Sequence, residues 1–412
     1  MTNRMFSRNV AALAPSATIA VSREAARLKA EGVNVVDLGA GEPDFLTPKL
    51  VCEAGIRAIQ QGKHKYAPTE GILELRAAIA RRLSLLSNGR AVNADNIVVS
   101  GGSKQAIYNS CLCLFSSTDR VLIPTPAWTS YPQIVHLARA TPVEVPGDAD
   151  WSLKVSVADL QRFYDDSVKG LILNSPVNPT GAVYTLAELK AIAEWAAQKG
   201  VWVIGDEIYR QIHYGAGSAP SFLDLPDELL ERVVVVGGAS KSYAMTGWRI
   251  GYALCQRELA KTLNALQSQT TSSANTMAMY AAVEAYTSDA VAAEVEQMTA
   301  AFRRRRDMLV ARFRAELPGT EFVEPLGAFY VFFRVDELFS AAVPNATEFC
   351  RRLIADEGLA LVPGAAFGDD RWVRLSYAAS EDLLQDGMNR LIRQFGRLRS
   401  EAAGGVQPQL AR

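Results

Sequence analysis

Short apolar runs recur along the middle of this chain, separated by stretches of helical periodicity. Gly170-Leu171-Ile172-Leu173, Val201-Trp202-Val203-Ile204 and Arg232 to Val236 are apolar on alternate positions of both faces. Each must therefore be covered on two sides. Helices alternating with such strands predict a mostly parallel sheet sandwiched between helix layers. Asn96 to Ser100, Arg120 to Ile123 and Pro142 to Val145 supply further strands, and Pro124 is expected to stop the second of these. Lys104 to Phe115 reads as a helix opened by Gly101-Gly102-Ser103. Thr185 and Glu188 form a capping box for another helix, which Gly200 ends. This α/β region runs over residues 47–285.

The flanks differ in character. Ser16 to Ala30 has helical periodicity, with Gly32 as its stop. Asp289 to Leu317 predicts a long helix carrying Arg303 to Arg306 in a row. Consecutive residues spread around a helix, so these arginines predict a solvated or salt-bridged face and not a nucleic-acid site. Strand-like Ala328 to Arg334 and Val373 to Tyr377, with a helix over Glu348 to Glu357, give an α+β pattern. Residues 1–46 and 286–400 are therefore expected to form a smaller α+β domain, and 401–412 a disordered tail.

With 412 residues there is material for two or three domains. Lys and Arg number 43 against 44 Asp and Glu, a balance that offers no basic stripe for nucleic acid. No apolar run approaches the roughly 20 residues of a membrane-spanning helix. The opening residues read as ordinary mature sequence, because Pro15 and Ser16 break the apolar stretch. Five scattered cysteines, Cys52, Cys111, Cys113, Cys255 and Cys350, predict buried free thiols in a reducing cytoplasm. His64, His136 and His213 are too dispersed for a metal cluster.

Ligands of an open parallel sheet sit beyond the carboxyl ends of its strands. Gly101-Gly102-Ser103-Lys104 there opens a helix, an arrangement that favours an anion. Asn174 to Gly181, Asp206-Glu207-Ile208-Tyr209 and Ser240-Lys241-Ser242 follow later strands. Lys241 lies just past a buried strand, where a lysine can have a lowered pKa and act as an imine-forming amine. Arg249, eight residues on, can return a guanidinium to the same pocket as a dianion clamp.

The segment Ser240 to Gly251 resembles the lysine signature of fold type I, class I aminotransferases, which use pyridoxal 5'-phosphate (PLP). Ala40 to Phe45, Lys65 to Pro68, Asn174 to Gly181, Asp206 to Tyr209 and Val373 to Tyr377 match in the family's order. The detail is most similar to the bacterial aspartate aminotransferase subgroup that includes prephenate aminotransferases. The resemblance implies a large domain with a seven-stranded, mostly parallel sheet, a small domain, and a homodimer with shared active sites. It implies that Lys241 holds PLP covalently and shuttles the α-proton, and that Asp206 pairs with the pyridine nitrogen. Tyr209 and Asn178 would meet the phenolic oxygen, and Trp128 would stack on the ring. Gly102, Ser103, Lys104, Ser240 and Arg249 would surround the phosphate, and Tyr66 would reach the phosphate of the neighbouring subunit. Arg374 would take the substrate α-carboxylate, with Gly41, Trp128 and Asn178 completing that end.

The expected reaction is ping-pong transfer of an amino group from an L-amino acid to a 2-oxo acid, with aspartate or glutamate and 2-oxoglutarate or oxaloacetate as first choice. Prephenate, aromatic or neutral amino acids remain alternatives, as does a PLP-dependent C–S lyase on the same scaffold. A PLP-sensing transcription regulator is disfavoured, because the first match begins at Ala40 and leaves no space ahead of it for a DNA-binding domain. A dinucleotide oxidoreductase is disfavoured by the lack of a glycine-rich fingerprint. Ser16 and Thr18 fall where related enzymes line the distal end of the substrate, although Ser16 can equally cap the first helix.

Overall fold

A computed structural model describes residues 7–11, 13, 17–148 and 152–404. A short strand, β1 (Val36–Asp37), precedes the main sheet. That sheet contains β2 (Ile97–Ser100), β3 (Arg120–Thr125), β4 (Thr141–Pro146), β5 (Val168–Asn174), β6 (Trp202–Asp206), β7 (Val233–Gly238) and β8 (Gly251–Leu254). Its order is β2-β8-β7-β6-β5-β3-β4. Neighbours from β7 to β4 run parallel, and β8 runs antiparallel to both β7 and β2. The expected seven-stranded, mostly parallel sheet is thus present.

Alternate residues of these strands enter two different cores. Leu171, Leu173, Val203, Val233 and Val235 pack on one face, and Ile172, Ile204, Val234 and Val236 on the other. This two-sided burial is why the strands read as continuous apolar runs. Thr185 and Glu188 form the capping box of the helix Leu186–Lys199, and Gly200 closes it in the left-handed region at φ 67°.

A second core surrounds a smaller antiparallel sheet. Its strands are β9 (Phe322–Val323), β10 (Tyr330–Arg334), β12 (Val362–Pro363) and β13 (Trp372–Ser376), in the order β12-β13-β10-β9; β11 (Leu359–Ala360) pairs in parallel with β1. The helix Asp289–Glu316 joins the two regions. Val291 and Val295 belong to the first core, and Phe302, Leu309 and Phe313 to the second.

Several expectations change. Pro124 does not stop β3, which continues to Thr125. Beyond Leu122 the strand pairs only with β4, so the missing N–H of proline is tolerated. The arginine row is salt-bridged at Arg305 and Arg306, one of the two arrangements expected, but it is not solvated throughout. Arg305 is 8% exposed and makes a bidentate ion pair with Asp44, at 2.7 and 2.9 Å. Residues up to Gly404 continue the helix Glu381–Gly404, with Glu401 ion-paired to Arg352 at 2.9 Å, whereas 405–412 lie outside the described residues. Cys111, Cys255 and Cys350 are buried free thiols, but Cys52 and Cys113 are only partly covered. Among the described residues, no helix is long and apolar enough to cross a membrane.

Candidate active site

The carboxyl ends of the parallel strands open into a cleft. Its lining includes Lys241, Asp206, Tyr209, Asn178, Arg374 and Trp128, together with Gly41, Ser103, Lys104 and Thr18. Asp206 ends β6 in register with Asn174 on β5, whose side-chain amide donates to the Asp206 carbonyl at 2.8 Å. The Asp206 carboxylate accepts from the Tyr131 hydroxyl at 2.7 Å and from the Ile208 backbone N–H at 3.2 Å. Burial pushes its pKa up to about 6, against the pull of these bonds and of the Lys241 ammonium.

Lys241 follows β7 by three residues, and its amine donates to the Gly41 carbonyl. Burial lowers its pKa to about 8; nearby Arg374 and Arg249 push the same way, while Glu42 and Asp206 oppose them. Arg374 sits on β13 and is 1% exposed. Its guanidinium donates to Asn178 Oδ1 at 3.0 Å and to the Gly39 carbonyl at 2.7 Å. Its Nε is buried without a partner among the described residues. Asn178 is fixed in turn, because its N–H donates to Asn174 Oδ1 at 2.8 Å.

Gly102 has φ +92°, and a Cβ there would lie 2.8 Å from Arg249 Cζ. The Arg249 guanidinium packs on this turn and donates to the Thr246 and Gly101 carbonyls, each at 3.1 Å. Backbone N–H groups at the start of the helix Ser103–Leu114 and the Arg249 cation therefore share one corner. The Lys104 ammonium lies 4.8 Å from the Trp128 ring centroid. Burial and the nearby Arg249 lower its pKa.

Ser240 is buried immediately before Lys241. Tyr66 does not line this cleft and is 95% exposed. Ser16 lies outside the described residues. Tyr131 and Tyr330 are among the cleft residues that escaped the sequence reading. Tyr131 stands three positions after Trp128, and the two rings pack edge to face at 5.3 Å. Tyr330 opens β10, and its hydroxyl lies 2.9 Å from that of Tyr209. An aromatic in an apolar run reads as core, and no local signal in the chain separates these two tyrosines from core residues.

Residues 33–391 match the family model for aminotransferases of class I and II. The chain is 39% identical over 389 residues to an aspartate aminotransferase of Bacillus subtilis, covering 94% of this chain and 98% of that one. It is 40% identical over 396 residues to an aspartate/prephenate aminotransferase of Thermus thermophilus, covering 96% and 100%. The solved aspartate aminotransferase from Thermus thermophilus with maleate is similar at a TM-score of 0.89 and 39% identity, over 95% of this chain and 100% of that one. The chain therefore belongs to the class I and II aminotransferases, enzymes that depend on pyridoxal phosphate.

Proposed function

We propose that this cleft moves the amino group of aspartate or glutamate to 2-oxoglutarate or oxaloacetate. One observation carries the reading: the Lys241 amine and the Asp206 carboxylate share a cleft with a buried arginine whose Nε has no partner among the described residues. The residues fit PLP. The Gly102 turn, Ser103, Ser240 and Arg249 would hold its phosphate, Trp128 its ring face, Asp206 its nitrogen, and Tyr209 with Asn178 its phenolic oxygen. Bound PLP supplies an electron sink and a temporary carrier for nitrogen.

The chain's own groups do the rest. Lys241, whose amine pKa burial lowers to about 8, would hold the cofactor through its aldehyde carbon, with the aldehyde oxygen leaving as water. The same amine can take and return the proton at the substrate α-carbon. A cationic ring nitrogen beside Asp206 would favour its ionised form, and Asp206 would keep that nitrogen protonated. Arg374 orients the α-carboxylate, with Gly41, Trp128 and Asn178 around it. Lys104 can serve the phosphate or a distal carboxylate. Its place over Trp128, without a carboxylate partner among the described residues, favours the distal carboxylate. Thr18 lines the same cleft.

A second reading has prephenate as acceptor. It rests on relatives of Aquifex aeolicus and Thermus thermophilus whose names include that activity, and prephenate also carries a second carboxylate. We further propose a homodimer, in which Tyr66 reaches the partner's phosphate. Its exposure of 95%, beside Leu46 at 92%, Ile56 at 53% and Ile59 at 59%, supports a surface covered by a second copy. Five free thiols support a reducing, cytoplasmic setting.

A donor-by-acceptor screen followed by the cofactor's absorbance tests this function. Aspartate or glutamate should be consumed only when a 2-oxo acid is present. Pyruvate and ammonia released from a single substrate would replace the proposal with a lyase.

A further inference from the structure

Two phenols bury their hydroxyls against each other below the cleft. Tyr209 follows β6 and Tyr330 opens β10, and their oxygens are 2.9 Å apart. Both side chains are buried, and neither hydroxyl has another hydrogen-bond partner among the described residues. Each phenol has a single proton, so only one of them donates across this contact. If Tyr330 donates, the Tyr209 proton is released toward the cleft. If Tyr209 donates, its proton is spent and only lone pairs face the cleft.

Arg374 biases the choice. Its guanidinium carbon lies 4.4 Å from the centroid of the Tyr330 ring. A cation over a phenol stabilises charge on that oxygen and makes its O–H the stronger donor. The Tyr209 ring instead meets Phe329 and Tyr330 edge to face, at 5.5 and 6.0 Å. Burial raises both phenols, Tyr209 well above its ordinary value, and Arg374 opposes that rise in both. The other charged groups nearby are Asp206 from β6, which faces Tyr209, Lys241 after β7, and Asp37 on β1, which acts on Arg374.

We propose that Tyr330 is a positioning residue: by donating to Tyr209 it turns the Tyr209 proton toward the cleft, and a carboxylate on Arg374 relaxes that bias. Substrate binding is thereby linked to the hydrogen bond that Tyr209 offers the cofactor. The inference rests on the reading above, in which Tyr209 faces the phenolic oxygen and Arg374 takes the carboxylate.

The test uses holoenzyme and a spectroscopic readout. The visible band of the bound cofactor is titrated with pH, with and without maleate, in the unmodified protein, Tyr330→Phe and Tyr209→Phe. A stronger hydrogen bond from Tyr209 stabilises negative charge on the phenolic oxygen and lowers the titration midpoint. In Tyr330→Phe the midpoint should rise, and maleate should shift it by less than in the unmodified protein. Maleate affinity, measured by calorimetry, should stay within about threefold, because phenylalanine keeps a ring under Arg374. A midpoint and maleate shift equal to those of the unmodified protein would overturn the inference. So would loss of maleate binding, which would make Tyr330 only a prop for Arg374. A Tyr209→Phe titration that does not move would instead remove the placement of Tyr209 on which the inference rests.

Discussion

Arg374 keeps a full charge where water does not reach, held by one carbonyl, one side-chain amide and two ring faces, Tyr330 at 4.4 Å and Phe367 at 4.9 Å. Burial alone pushes its pKa down, so the substrate carboxylate we propose to bind there would meet a cation that gains from being paired. Arg374→Ala should lower kcat/KM by about 10²-fold or more for every donor and acceptor, as expected when a buried charge pair loses one member. Steady-state kinetics across side-chain classes checks this, and a loss confined to one class would place Arg374 at the distal end. Asp206 offers a second measurement. Its folded pKa of about 6 lies above the unfolded carboxylate value, so its contribution to stability is complete below about pH 4 and is lost as pH rises through 6. In cofactor-free protein, Asp206→Asn should remove up to about 3 kcal/mol of the stability lost by the unmodified protein between pH 4 and 7, read by urea unfolding at each pH. Lys241, Asp206 and Arg374 were legible as residues because strand ends and a matched motif single them out. Tyr131 and Tyr330 were not. Tyr330 gains its place from lying opposite Ser376 in the antiparallel register of β10 and β13, so that its ring comes under Arg374.

Among elements, the turn from β2 into the helix Ser103–Leu114 carries the tightest constraint. Gly102→Ala would place a methyl against Arg249 at a backbone angle that L residues rarely adopt. The strain of about 1–3 kcal/mol should appear as about fivefold or more weaker cofactor binding, measured by equilibrium dialysis, because both halves of the anion corner must move. The parallel strands and the capped helix Leu186–Lys199 were readable because burial on two faces and cap chemistry leave local marks. β8 was not recognised. Its residues Gly251 to Leu254 follow the Arg249 motif without a turn signal, and only pairing with β7 and β2 makes them a strand. Arg305 was read only as part of a solvated or salt-bridged face, because nothing in the helix itself reveals that its ion-pair partner is Asp44.

At the scale of the molecule we propose the division into a large domain, 47–285, and a small one, 1–46 with 286–400. The division has a seam: Ile208, Tyr209, Ile212 and Tyr214, which follow β6, pack into the second core with Phe329 and Tyr377. The cleft-lining segment after β6 is thus anchored to both regions. The proposed dimer predicts that Ile59→Asp, at a site 59% exposed in the single chain, leaves the fold intact but yields monomers by sedimentation velocity and weakens cofactor binding. A stable dimer in that variant would remove the face around Ile56 and Ile59 from the interface. Alternation of apolar strands and helices, read from the chain by itself, determined the layered α/β architecture, since burial on both faces is a local property of each strand. The same local logic determined which polar residues end the strands. The partners of the polar and charged residues were decided by the tertiary structure alone: Tyr131 on Asp206, Tyr330 between Tyr209 and Arg374, and Asp44 on Arg305. The reason is that register between distant strands and the docking of one core on another follow from packing across the whole molecule, which no short stretch of sequence encodes.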